Sequence, residues 1–345
     1  MAFVFSLITF VTMQKLYFSF IIPVFNRPEE IKELLDSFLK LKGGYDFEIV
    51  IVEDGSTNTC KTIIDNFKAK LNISYYFKEN TGPGDSRNFG MHKAKGNYFI
   101  ILDSDIILPS NYLKEVKSFL NRTYYDCYGG PDAAHITFSN LQKAINLVMT
   151  SFIITGGIRG GKQQLNIFQP RSFNMGLSKK AFQDSGGFGN IHPGEDPDLS
   201  LRLKQLGHKT ILINNAFVYH KRRISWFKFY NQVHKFGLVR PILNKWHPHS
   251  KSVVYWFPTF FMLGFIVSMT MLYFKIYFPM YLYGIYFTIV FVMALVSAKN
   301  ISIAWLSLIA ISIQFFAYGY GFLKSTLTLL VLRKTPEKAF PSLFF

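Results

Sequence analysis

Cysteine is nearly absent. The 345-residue chain holds only Cys60 and Cys127, too few for a disulfide framework or a cysteine zinc site, which fits a reduced compartment. Negative charge is also scarce: 21 acidic residues against 38 lysines and arginines leave a net charge of +17 at pH 7. Such a chain favours anionic partners, namely a phospholipid surface, a phosphorylated small molecule or a nucleic acid. Nucleic acid is set aside on pattern, because neither a basic array interleaved with stacking aromatics nor a zinc-finger spacing occurs. The opening "MAFVFSLITFVT" lacks the positive n-region and cleavage site of a signal peptide, and it is shorter than the roughly 20 residues of a bilayer crossing. Long apolar runs are missing up to about residue 250, where apolar residues come in short bursts between charges. From Val253 to Leu332 they are nearly continuous. That shift predicts a globular domain followed by a membrane region.

What is present before residue 225 is an alternation. "YFSFIIPVF" is a short apolar run ending at Asn26-Arg27-Pro28-Glu29-Glu30; Pro28 and the two acids suit the first turn of a helix. Ile31, Leu34, Leu35 and Phe38 then recur at helical spacing. "FEIVIVEDGSTN", "ISYYF" and "NYFIILDSD" repeat the strand pattern, with helical or Gly-rich stretches between them. Strands alternating with helices predict βαβ units and a parallel sheet, with ligands at the carboxyl ends of the strands. Those ends carry Asn26, Asp54 and the pair Asp103 and Asp105. Read as an extended stretch, Asp103-Ser104-Asp105 points both carboxylates the same way. Two carboxylates so close repel and require a cation, a shared proton or a base; a hard divalent ion that also binds a diphosphate satisfies both.

The ordered set "SFIIPVFNRPEEIKELLDSFL", "EIVIVEDGSTN", "NTGPGDSRNFGMHKAKGNYFIILDSDI", "FNMGLSKKAFQDSGGF" and "GEDPDLSLRLKQLGHK" resembles the family-2 glycosyltransferases of the GT-A fold over residues 17–225. The resemblance implies a Rossmann-like domain, a nucleotide-diphospho-sugar donor, a divalent cation (Mg²⁺ or Mn²⁺) bridging its diphosphate to the D-x-D, and inversion at the sugar. It also implies roles. Pro23, Phe25 and Asn26 shape the floor under the nucleoside, Asp54 contacts the base, and Arg87 contacts the nucleotide. Gly82 and Gly84 bring backbone close to the donor. Asp103 meets ribose or metal, and Asp105 meets the metal. His220 is a further metal ligand, or a structural histidine. Asn174 touches donor sugar or acceptor. Asp196 is the general base, with Glu195 as the alternative base or as a holder of the acceptor.

Leu199, Leu203 and Leu206 share a helical face that stops at Gly207, so Glu195, Asp196 and Asp198 fall at a helix N-terminus, where acids also serve as cap and dipole partners. "TGGIRGGKQQLNIFQPRSFNMG" is expected to be a mobile acceptor loop. Trp226, Phe229, Tyr230, Val233 and Phe236 at helical spacing, flanked by Lys228, Lys235, Arg240 and Lys245, predict a helix lying in a membrane interface, the alternative being an amphipathic helix packed on the catalytic domain. Three apolar stretches follow, at about 253–274, 276–297 and 301–323, each long enough to cross a bilayer. The expected organisation is an apolar extension over 1–16, a GT-A domain over 17–224, an interfacial helix over 225–250 and a transmembrane region with a short basic end over 251–345. Basic residues before Val253 place the catalytic domain in the cytoplasm, on the inner (plasma) membrane. An odd number of crossings then puts Arg333 and Lys334 on the wrong side, so either the last stretch is re-entrant or the rule is overridden here. The acceptor expected is a lipid-linked or cell-surface glycan. A processive polysaccharide synthase, to whose Q-x-x-R-W signature Gln232-x-x-Lys235-Phe236 is faintly similar, and a non-catalytic membrane scaffold are the alternatives.

Overall fold

The computed structural model describes residues 15–133, 138–155, 168–220 and 225–345. Residues 1–14, the 156–167 part of the expected acceptor loop and the 221–224 part of "VYHKRRIS" lie outside the described residues.

β1 (Phe18–Val24), α1 (Pro28–Phe38), β2 (Phe47–Asp54), α2 (Lys61–Phe67), β3 (Ile73–Lys78), α3 (Pro83–Lys93) and β4 (Tyr98–Leu102) alternate as the sequence predicts. β5 (Ile106–Ile107), α4 (Tyr112–Arg122), β6 (Cys127–Gly129), β7 (Asp132–Ala133), α5 (Asn140–Thr150) and α6 (Phe152–Thr155) follow. β8 (Asn174–Ser178), α7 (Lys179–Ser185), α8 (Glu195–Gln205), β9 (Thr210–Leu212) and β10 (Val218–His220) complete the α/β domain. The main sheet runs β3-β2-β1-β4-β8-β6-β9. Its first four strands are parallel, but β8 is antiparallel to both neighbours. The sheet is therefore mixed, where a parallel one was expected, because the short "NMGLS" strand arrives from a loop rather than through a crossover helix. β1 and β4 are buried throughout, as continuous apolar strands covered on both faces should be. One face packs on Ile31, Leu35, Tyr112 and Val116, the other on Met91, Phe182, Leu199 and Leu203. Leu206, expected on the same face, is instead solvent-exposed, because it caps the end of α8 where the helix leaves the sheet.

A second, three-stranded sheet, β5-β10-β7, pairs His220 with Ile106 and Val218 with Asp132. This small sheet brings a histidine a hundred residues downstream to the edge of the D-x-D turn.

α9 (Trp226–Trp246), α10 (Phe257–Tyr273), α11 (Phe278–Ala298), α12 (Ile301–Thr326) and the short α13 (Pro336–Ala339) form the rest. Three segments, Val253–Tyr273, Phe278–Ala298 and Ile301–Val331, are long and apolar enough to cross a membrane. Their outer faces leave Phe260, Ile266, Ile285, Val292 and Trp305 exposed, the pattern of a surface solvated by lipid. α9 departs from the interfacial reading and follows the packed alternative. Phe229 and Val233 are fully buried against α5 and α12 residues such as Val148 and Phe315, so protein rather than lipid covers its apolar face. Phe227, Tyr230 and Trp246 are what remains exposed. After α12 the 335–345 segment folds back onto the α/β domain. The His192 N–H donates to the Leu343 carbonyl at 2.7 Å, and Phe340 and Leu343 are buried with Ile191, Leu238 and Ile242.

Candidate active site

The strand ends converge on one crevice. Pro23, Phe25, Arg27, Asp54, Gly82, Arg87, Asp103 and Asp105 line a cavity of about 400 Å³. The D-x-D is not an extension of β4: the strand ends at Leu102, and a turn carries Asp103–Asp105 into β5. The two side chains still converge, through the turn and not through strand alternation.

Each carboxylate already has a counter-charge. Arg27 Nη1 lies 2.5 Å from Asp105 Oδ2, and Arg87 Nη2 lies 2.8 Å from Asp103 Oδ1. The sequence reading overlooked Arg27, although its place directly after the β1 end was the available signal. Arg87 is buried and bridges two clusters, because its Nη1 also meets Glu195 Oε1 at 2.9 Å. A guanidinium fork is suited to such bidentate bridging.

Asp103, Asp105 and His220 each present a ligand atom within 4.8 Å of the others. Arg27 engages Oδ2 of Asp105 and Arg87 engages Oδ1 of Asp103. His220 Nε2 is 3.3 Å from Asp105 Oδ1, its Nδ1 is 3.8 Å from the buried Asp132, and its ring stacks on Phe173 at 4.9 Å. Two carboxylates and one imidazole, with positions over for water and phosphate oxygens, fit Mg²⁺ or Mn²⁺.

Asp54 is a clamp. Its Oδ1 accepts from Lys78 Nζ at 2.6 Å and the Thr81 N–H at 3.1 Å, and its Oδ2 accepts from the Gly82 N–H at 3.0 Å. Gly82 has φ +92°, a conformation glycine adopts freely. Gly84 serves packing rather than ligand approach, since a Cβ there would lie 2.8 Å from the Gly189 carbonyl. Two further expectations are corrected. The Asn26 side chain faces away, with its Oδ1 accepting from the Thr57 and Asn58 N–H groups, both at 2.9 Å, so it ties two strand-end loops together and does not floor the crevice. Asn174 is fully buried, accepting from Tyr112 Oη at 2.6 Å and donating to the Ala216 carbonyl at 2.8 Å. With both ends of its amide used inside the sheet, it cannot reach an acceptor. Its neighbours Arg171, Ser172 and Phe173 line the open space instead.

That space is a second cavity of about 530 Å³. Glu195, Asp196 and Arg171 line one side; Lys228, Lys235, Phe236 and Arg240 of α9 and Tyr318 of α12 line the other. Arg87, Asp103, His192, His220 and Gln232 line both cavities, so the two spaces meet over the D-x-D. Glu195 and Asp196 open α8, as read from sequence. Their environments differ. Burial alone would raise Glu195, but His192 Nδ1 at 3.1 Å and Arg87 outweigh it and hold the carboxyl below its ordinary value. Burial raises Asp196, Arg171 at 3.7 Å opposes, and the charge of Glu195 adds to the rise. Asp196 keeps 16% of its side chain open to the cavity, against 4% for Glu195. The two adjacent carboxylates therefore sit in opposed electrostatic environments.

Residues 19–186 match the family Glycosyl transferase family 2. A poly(ribitol-phosphate) beta-N-acetylglucosaminyltransferase, TarS, of Staphylococcus aureus is 33% identical over 112 residues, 32% of this chain and 20% of the relative. A poly(ribitol-phosphate) beta-glucosyltransferase of Bacillus spizizenii is 29% identical over 150 residues, 40% of this chain and 24% of the relative. The match thus spans about a fifth to a quarter of these relatives' length. Among solved structures, a mannosyltransferase of Pyrobaculum calidifontis in complex with GDP-Man and Mn²⁺ shares the fold with a TM-score of 0.50 at 13% identity, over 67% of this chain and 65% of that one.

Proposed function

We propose, for a chain whose residues 19–186 form a glycosyl transferase family 2 domain, that it transfers a glycosyl group from a nucleotide-diphospho-sugar to an acceptor seated between the α/β domain and the C-terminal helices. The observation that carries this is the meeting of two cavities over Arg87, Asp103 and His220. The smaller, at the strand ends, suits the donor; the larger, walled by Asp196 and the helices, suits the acceptor. Asp103, Asp105 and His220 would hold a divalent ion, which when bound neutralises the donor diphosphate.

The acceptor hydroxyl attacks C1 of the sugar, its proton passes to an Asp196 oxygen, and the C1–O bond to the diphosphate breaks. A raised carboxyl is the better base. Arg87 supports the departing phosphates and holds Glu195 charged beside the base. Arg171, Lys228, Lys235 and Arg240 give the acceptor cavity a cationic wall, which fits an acceptor bearing phosphate, the class named for the poly(ribitol-phosphate) relatives. The exposed apolar belt of α10–α12 fits a membrane-anchored enzyme working on a lipid-linked or cell-surface glycan.

The test is Asp196→Asn, which keeps size and capping ability and removes basicity. Transfer should fall roughly 10²- to 10⁴-fold while donor binding persists; unchanged transfer sinks the assignment and moves it to Glu195. A second reading has one observation in its favour. Gln232, Lys235 and Phe236 all line the acceptor cavity, as a processive synthase would place them. Product length separates the two readings: single additions support the transferase, and long polymers the synthase.

A further inference from the structure

The donor cavity has one wall that comes from far outside the α/β domain. Phe345 lines it together with Pro23, Phe25, Asp54 and Gly82. Its position is built. The Phe345 N–H donates to the Asn190 carbonyl at 3.3 Å and the His192 N–H to the Leu343 carbonyl at 2.7 Å, Ile191 and Phe344 form an antiparallel bridge, and Leu343 anchors the segment at 1% exposure. The ring lies directly on Gly82: a Cβ added there would come within 2.5 Å of Phe345 Cδ2. The His192 ring is 6.0 Å from it. Gly82 is the residue whose N–H is fixed by Asp54, so the ring covers the Asp54 cradle. Phe345 is 59% exposed, so one face of the ring stays open to the cavity.

We propose that Phe345 is a donor-binding residue, whose open face stacks on the nucleobase of a nucleoside diphosphate. The inference rests on the donor-site reading above. A planar base has a π-face whatever its edge, so the ring contributes affinity while the polar cradle around Asp54 reads the edge. Because the same segment leaves α12 and fixes the 190–192 loop ahead of Glu195 and Asp196, donor binding and the acceptor wall share one strap.

The experiment uses the full chain in detergent, with Phe345→Ala, Phe345→Leu and Phe345→Trp. Affinities for UDP, GDP and inorganic pyrophosphate are measured with Mn²⁺ by calorimetry, beside Asp105→Asn. Loss of a base-stacking aromatic should weaken whichever nucleoside diphosphate the parent binds by roughly 5- to 150-fold. Phe345→Leu should be intermediate, Phe345→Trp near the parent, and pyrophosphate affinity unchanged in all three. Asp105→Asn should weaken both ligands. If the parent binds pyrophosphate but neither nucleotide, the donor-site reading and this inference fall together. If the parent binds a nucleotide and Phe345→Ala binds it equally well, only the stacking role falls. An equal loss of nucleotide and pyrophosphate in Phe345→Ala also overturns it, because the ring would then serve only to hold the loop in place.

Discussion

At the scale of single residues, charge placement governs the candidate site. Arg87 is buried between Glu195 and Asp103. Removing one member of a buried ion pair typically costs about 3–5 kcal/mol, since the partner charges stay buried without compensation. Arg87→Ala should therefore lower the thermal midpoint as well as abolish transfer. A variant that loses activity with its melting curve unchanged would show that the bridge is functional only. Asp196 supplies a pH signature. As the proposed base it works deprotonated, and burial raises its carboxyl, so transfer should fall as pH drops through a value above that of an ordinary aspartate. Glu195, held below its ordinary value, stays ionised there and adds no limb of its own. A pH–rate profile of donor turnover checks this. An acid limb at the ordinary aspartate value would mean that Asp196 is solvated during turnover.

Among elements, α9 is the joint. The sequence marks it as a helix with one apolar stripe, and the structure spends that stripe on α5 and α12. Phe229→Ala should cost about 3–5 kcal/mol, as a large-to-small change at a fully buried aromatic does, read as a drop in unfolding midpoint. Truncation after Ser252 would strip α12 from Phe229 and Val233 and remove Phe340 and Leu343 from Leu238 and Ile242. The truncated chain should aggregate on size exclusion at low detergent; a monodisperse soluble product would show that α9 can pack without its partners.

Across the whole molecule, the return of the 335–345 segment bears on membrane topology. A segment hydrogen-bonded to His192 lies on the same side as the α/β domain, which puts Arg333 and Lys334 with Arg240 and Lys245, as the positive-inside tendency prefers. For apolar helices that cross a membrane, that requires an even number of crossings between Ser252 and Leu332. α11 and α12 run as an antiparallel hairpin, with Phe291 and Trp305 4.9 Å apart near its turn. The first half of α10 packs on the far end of α12, Trp256 on Phe322 and Phe257 on Phe315. We expect α11 and α12 to cross and α10 to enter obliquely and return. Because Cys60 and Cys127 are buried, single-cysteine labelling has a quiet background. Lys275→Cys should react from the catalytic side and Lys299→Cys from the opposite side; labelling of both from one side overturns the arrangement.

The alternating strands, the polar strand ends, the acidic start of α8 and the three apolar helices were all legible along the chain. Each of these is written in local periodicity: continuous apolar runs make buried strands, and long ones make membrane helices. The sequence also carried the family pattern on which Asp54, Arg87, Asp103, Asp105 and Asp196 were named. The rest came from folding in three dimensions, because those features join residues far apart in the chain. The antiparallel β8 uses up Asn174 inside the sheet, the β5–β10 pairing sets His220 beside Asp105, and Arg27 rather than an ion alone balances Asp105. The covering of α9 and the arrival of Phe345 over Gly82 belong to the same class. A side chain's partners across eighty or two hundred residues are fixed by packing, and packing leaves no period in the sequence to read.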